Sequence, residues 1–290
     1  MSRMRTIAFQ KIVNAVADLC IRAAYELPQD VQDAVRKALQ VESHPGARKI
    51  LEQLLDNARL ASEQRIPLCQ DTGLTVVFVE LGREVLVRPP KDRPNLTLID
   101  AIQEGTARGY EEGFLRKSIV AEPLYQRLNT QTNTPAVVHV SIVPGKRLGL
   151  TVMLKGGGCE NKSRFNMFNP TETRQNVSRW IVETVKNAGA NACPPFVVGV
   201  GLGGDFESCC LLSKKALLRQ IGTFHPLPFY ADMEKDLLLQ INAAGSGPQG
   251  LGGDTTALAV HIETAPCHIA SLPAAVNIEC HSHRHKSMEL

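Results

Sequence analysis

The 290-residue sequence is poor in aromatic side chains, which make up 5% of it and include a single Trp. It also lacks any apolar run of the roughly 18 residues needed to span a bilayer, because its longest apolar tracts are broken by Gly, Pro or charge. Neither sign of charge dominates: 32 Lys and Arg stand against 29 Asp and Glu, and the formal +3 is not gathered into a basic run. Phosphate backbones are held by a concentrated cationic face, so nucleic acid is not an expected partner. A small anion needs only a few well-placed cations, and that class of ligand stays open. Met1 to Ala24 has polar residues in every apolar stretch and no small-residue cleavage site, so it does not read as an export signal. The expected setting is the cytoplasm, away from membranes. Eight Cys in such a chain do not suggest a disulfide framework, which leaves metal, catalytic or packing roles for each.

Hydrophobic residues at 43% and charged residues at 21% are the values of an ordinary globular protein. Phe9, Ile12, Val13, Val16, Leu19 and Cys20 recur in steps of three and four, which predicts a helix over Thr6 to Tyr25. Two more are expected over Val31 to Gln40 and Ala47 to Arg65, making a helical N-terminal part of about 1–66. Past Pro67 the pattern changes. Leu74 to Leu81 reads as a buried strand entered through the turn Gln70-Asp71-Thr72-Gly73, and Leu98 to Phe114 as a helix. Val137 to Val143 and Gly149 to Leu154 read as a strand pair joined at Pro144-Gly145. Further helices are expected over Thr171 to Asn187, Phe206 to Leu218 and Ala231 to Ala243, and strands over Phe196 to Val200, Ala257 to Ile262 and Ala274 to Ile278. The predicted class is mixed α+β, a single unit over 1–290 with room for two lobes. Gly245 to Gly253 is too short to separate domains and reads as a functional loop.

Three Cys stand beside residues that break regular structure: Cys69 after Pro67, Cys193 before Pro194-Pro195, and Cys280 before His281-Ser282-His283. Their wide separations match no compact zinc or ferredoxin pattern, and each taken alone is more often a small buried hydrophobe than a ligand. Two other readings stay open on residues alone. One is a scaffold with structural zinc; the other is a nucleotide-binding module on Gly199 to Gly204, which lacks the full dinucleotide fingerprint and the Gly-Lys-Ser/Thr of a P-loop.

Taken in order, Pro67-Leu68-Cys69-Gln70-Asp71-Thr72-Gly73, Lys155-Gly156-Gly157-Gly158 with Glu160-Asn161-Lys162-Ser163, Asn191-Ala192-Cys193-Pro194-Pro195 and Gly199-Val200-Gly201-Leu202-Gly203-Gly204 resemble the alpha subunit of class I fumarate hydratases. His268 and Cys280 near the end fit as well. The resemblance implies a [4Fe-4S] cluster on Cys69, Cys193 and Cys280, with one iron left open to act as a Lewis acid on a small dicarboxylate. It implies Asp71 and His268 as catalytic residues, and Gln70, Arg116, Lys155, Gly156 and Gly157 as substrate-binding ones. Arg suits a carboxylate because its guanidinium is a bidentate donor, and consecutive glycines let backbone amides approach an anion. On residues alone, Asp71 also suits a plain Asx turn.

In fumarate hydratases of this type the position of Cys159 is usually Ser, whereas tartrate dehydratase alpha subunits can carry Cys after the same glycines; Glu160-Asn161-Lys162-Ser163 looks more like the fumarase version. The resemblance therefore leaves fumarate, tartrate or a methyl-branched dicarboxylate as substrate. It also implies a separate beta subunit, with alpha subunits pairing within the heteromer. Cys20, Cys209, Cys210 and Cys267 read as structural, and His281, His283 and His285 as a solvated tail.

Overall fold

The computed structural model describes residues 4–290, which divide into two compact units. The first holds the chain up to Pro28, Leu60–Gly156 and Arg284–Leu290; the second holds Gln29–Arg59 and Gly157–His283. Among the described residues no helix is long and apolar enough to cross a membrane.

The first unit is built round α1 (Phe9–Tyr25), whose Phe9, Ile12, Val13, Val16, Leu19, Cys20 and Ala23 are all buried. A helix apolar over so wide an arc belongs inside a core. The expected start at Thr6 is corrected: Arg5–Ala8 is strand β1, paired parallel with β3 (Val85–Arg88). Helix α4 (Leu98–Glu112) packs on α1 and begins with a capping box, in which Thr97 Oγ1 accepts from Asp100 N and the Asp100 carboxylate accepts from Thr97 N.

Helix α1 packs on a four-stranded sheet in the order β10 (His285–Glu289), β5 (Leu148–Lys155), β2 (Leu74–Gly82), β4 (Val137–Val143). The expected strand pair of β4 and β5 is therefore corrected, since β2 lies between them, parallel to β4 and antiparallel to β5. The Pro144-Gly145 turn crosses the end of β2, where Gly82 N and Glu84 N donate to the Arg147 and Gly145 carbonyls. Burial decides the order. Val76 to Val79 are buried and take the centre, whereas β4 leaves Val137, Val140 and Ile142 exposed at the edge. Val77, Val79, Leu148, Leu150, Val152 and Leu154 join α1 in one core, each such side chain worth about 1.5–3 kcal/mol when buried.

The solvated tail is also corrected. His283 and Arg284 are each 1% exposed, and the chain continues as β10, antiparallel to β5. Edge pairing of this kind depends on a partner strand more than 130 residues away, which the polar sequence of the tail does not advertise.

Gly73 marks the entry to β2 at φ +75°, and a Cβ there would lie 2.5 Å from the Lys155 carbonyl oxygen. Left-handed backbone and overpacking both penalise a side chain at this position. Gly73→Ala is expected to cost about 2 kcal/mol or more, read as a lowered melting temperature. An unchanged melting temperature would show that the Lys155 backbone yields without cost.

The second unit contains α2 (Gln29–Val41), most of α3 (Pro45–Gln64), α5 (Gly157–Glu160), α6 (Arg174–Ala188), α7 (Phe206–Ala216) and α8 (Pro228–Asn242). Its sheet runs β6 (Arg164–Phe168), β9 (Leu272–Glu279), β7 (Phe196–Gly203), β8 (Ala257–Ala265), with β7 parallel to β8 and antiparallel to β9. Strand β7 is buried along its whole length, as expected of a central strand without alternation. It extends through the glycines, and a Cβ at Gly199 or Gly201 would stand 2.1 or 2.2 Å from a carbonyl oxygen of α7. Those glycines let α7 lie directly on the strand. The observed mixture of helices and several sheets is the mixed α+β class expected from the sequence.

Candidate active site

In the first unit the Gln70-Asp71-Thr72-Gly73 turn is held from several sides. Asp71 Oδ1 accepts from Gly73 N at 2.9 Å, the Asx turn that the sequence allowed. Beneath it, the fully buried Tyr110 places its hydroxyl 2.9 Å from both the Thr72 and Gly73 carbonyls. Burial pushes the Tyr110 phenol well above its ordinary value, so it stays a hydrogen-bond donor. Asn133 Nδ2 donates to the same Gly73 carbonyl at 3.1 Å, and Asn133 Oδ1 accepts from Ser118 N. Thr72 Oγ1 donates to the Arg116 carbonyl at 2.8 Å. The backbone of Arg116 is thereby fastened to the turn, while its side chain is exposed.

Arg284 Nη1 donates to the Asp71 carbonyl at 2.6 Å. Gly156 adjoins both groups: a Cβ there would lie in ordinary contact, 3.4 Å from Asp71 Oδ2 and 3.5 Å from Arg284 Nη2. Lys155, opposite Leu74 in the sheet, is fully buried. The first unit thus joins Asp71, Gly156 and two buried cations, with Cys69 half-buried and Gln70 exposed beside them. A buried guanidinium is costly unless it is hydrogen-bonded or meets an anion. Arg284 is the functional candidate that sequence reading missed, hidden among the His residues of the tail. Tyr110 and Asn133 were missed too, since the turn they brace is 37 or more residues away in one case and 60 in the other.

In the second unit Cys193 follows the 3-10 turn Ala190–Ala192 and has φ 56°, a left-handed conformation that a side chain seldom adopts. Its carbonyl accepts from His281 N at 3.3 Å, which fastens its loop beside Cys280. The Gly-rich loop braces the same place: Gln249 donates to the Pro194 carbonyl from both its backbone N and Nε2, each at 2.9 Å. Cys159, on the short α5, sets its thiol 3.4 Å from the Ala192 carbonyl. Cys159, Glu279 and Cys280 are all buried, and their ligand atoms lie within 4.8 Å of one another. Gly157 is exposed. His268 is exposed in the loop before β9, and its hydrogen bonds are local, with Ala270 N donating to Nδ1 at 3.1 Å.

Burial pushes the Cys20 and Cys209 thiols up to about 12, which keeps both protonated and inert. Among the described residues no disulfide joins any pair. At the N-terminus of α7, where a nucleotide phosphate would bind, the Asp205 carboxylate already caps Ser208 N at 2.8 Å. That geometry disfavours the phosphate-loop reading.

The sequence model described as "Fumarate hydratase (Fumerase)" matches residues 13–289. A chain of Methanocaldococcus jannaschii described as "Putative L(+)-tartrate dehydratase subunit alpha" is 37% identical over 278 residues, covering 94% of this chain and 95% of that one. The L(+)-tartrate dehydratase subunit alpha of Escherichia coli strain UTI89 is 31% identical over 287 residues, covering 98% and 92%. The protein of that name in strain K12 is 32% identical over 281 residues, covering 96% and 90%. With its turn, its glycine loop and its loop thiols all inside the matched span, the chain belongs to the fumarate hydratase family of hydro-lyases.

Proposed function

We propose that the chain is the alpha subunit of a hydro-lyase that interconverts fumarate and malate, working with a separate beta subunit. The observation that carries this reading is the Asp71 turn, where a carboxylate stands with buried Arg284 beside the Gly156 backbone. Removing water from a 2-hydroxy dicarboxylate needs a base for the proton beside a carboxylate and an acid for the departing hydroxide, each worth about 10² to 10⁴ in rate. Asp71 Oδ2 is the group proposed to exchange a proton with the substrate hydroxyl, since Oδ1 is engaged by Gly73 N. Lys155 and Arg284, both buried cations, suit a substrate carboxylate. Gln70, Arg116 and the amides of Gly156 and Gly157 would orient it, and His268 would complete the proton transfers from its exposed loop.

The cofactor proposed is a [4Fe-4S] cluster on Cys69, Cys193 and Cys280. The residues fit this group: all three thiols sit in irregular backbone, and the loops of Cys193 and Cys280 are tied together by the His281 N bond. When bound, the cluster supplies an open iron as Lewis acid for the hydroxyl and a carboxylate. The substrate's carboxylates would be positioned by this chain's own cations, and the cytoplasm is the proposed setting. Alpha subunits are proposed to pair with one another within the heteromer.

A tartrate substrate is the second reading, favoured by Cys159 and by the names of the relatives. The test is turnover of malate against tartrate by the cluster-loaded chain with its beta subunit. A higher kcat/KM for malate supports the first reading, and a higher value for tartrate replaces it. The chain alone, cluster loaded, is expected to be inactive, and turnover without a partner would overturn the two-chain proposal.

A further inference from the structure

We infer that Cys159, Glu279 and Cys280 form a second metal-binding set, which shares Cys280 with the proposed cluster ligands and takes one thiophilic divalent cation of the zinc type when the chain carries no cluster. The three ligand atoms converge within 4.8 Å, and all three residues are buried. The convergence has a structural cause. Helix α5 lays Cys159 against the end of β9, and β9 stops at Glu279, so that Glu279 and Cys280 escape the strict alternation of a strand and reach the same point. Cys280 Sγ already lies 3.8 Å from Glu279 Oε1. Two sulfurs and a carboxylate oxygen at this spacing need to close by only about 1 Å to meet the Zn–S and Zn–O lengths of about 2.3 and 2.0–2.2 Å, and three protein ligands leave one tetrahedral position over.

The inference goes beyond the proposed function, and its consequence is exclusion. Cys280 belongs to both sets, so a cation held here occupies a thiolate that the cluster needs. A chain that has lost its cluster would be captured in a zinc form. Cys159 is the residue that separates the two sets, since the cluster reading does not use it.

The experiment takes the full chain, prepared without cluster under anaerobic conditions, and titrates it with Co²⁺ as a spectroscopic probe, followed by Zn²⁺ competition. Wild type and Cys69→Ser are expected to bind one Co²⁺ with a thiolate-to-metal charge-transfer band, which Zn²⁺ then bleaches. Outer-shell changes at metal sites already cost about 10- to 100-fold in affinity, so Cys159→Ser should weaken binding at least tenfold, with Glu279→Gln also weaker. X-ray absorption of the Zn²⁺ form should show two sulfur neighbours, a measurement that does not depend on any variant folding. Unchanged Co²⁺ binding in Cys159→Ser, loss of binding in Cys69→Ser, or three sulfurs around zinc would each overturn the inference. Reconstitution of the cluster in Cys159→Ser distinguishes the two proposals: retained iron and sulfide leaves the cluster reading standing whatever the Co²⁺ result.

Discussion

Asp71→Asn is expected to lower kcat by about 10² to 10⁴ while iron and sulfide content stay at the wild-type level. Asn keeps the side-chain oxygen that accepts from Gly73 N, so the Asx turn and its attachment to Tyr110, Asn133 and Arg284 survive. What is lost is the charge and the ability to carry a proton. Because Arg284 donates to the Asp71 backbone carbonyl, which the substitution leaves in place, the guanidinium should hold its position in the variant. Substrate binding should therefore fall less than kcat does. A variant with full kcat would make Asp71 a structural turn residue and nothing more.

Changing Cys69, Cys193 or Cys280 singly to Ser is expected to abolish turnover and to reduce iron and sulfide after anaerobic reconstitution to a small fraction of the wild-type value. Serine is a hard oxygen ligand in place of a soft thiolate, and a cluster with two remaining cysteines is poorly held. The three changes should leave the fold nearly intact. Cys69 and Cys193 are only half-buried in loops, and Ser differs from Cys by little volume. Cys20→Ser and Cys209→Ser serve as controls: both thiols are deeply buried and held protonated by burial, so cluster content should be unaffected. Wild-type cluster content in all three loop variants would mean that other thiols hold the iron.

Periodicity made most of this fold legible before any coordinates. The helices over Leu98–Glu112 and Gln29–Val41 and the buried strand Leu74–Gly82 carry their own patterns, because each buries a face that its neighbours in sequence define. Pairing is a different kind of information. Nothing local in Val137 to Val143 says that β2 lies between it and β5, and the Pro-Gly turn serves a crossover as well as a hairpin. The edge strands β6 and β10 escaped notice for the same reason: each is only five residues long, β10 is polar besides, and both are defined by their partner strands. The candidate site divides along the same line. Cys69, Asp71, Gly156 and Cys193 stand out beside turn-forming residues, whereas Arg284, Tyr110 and Glu279 acquire their places only through tertiary contacts.

The proposed iron-sulfur cluster has one iron open to a hydroxy acid. Mössbauer spectroscopy of the ⁵⁷Fe-reconstituted chain, with its beta subunit and with or without malate, tests this most directly. About four irons with matching sulfide are expected, one of which changes its spectrum when malate is added. Protein that takes up no sulfide, or a spectrum indifferent to every dicarboxylate offered, would contradict it.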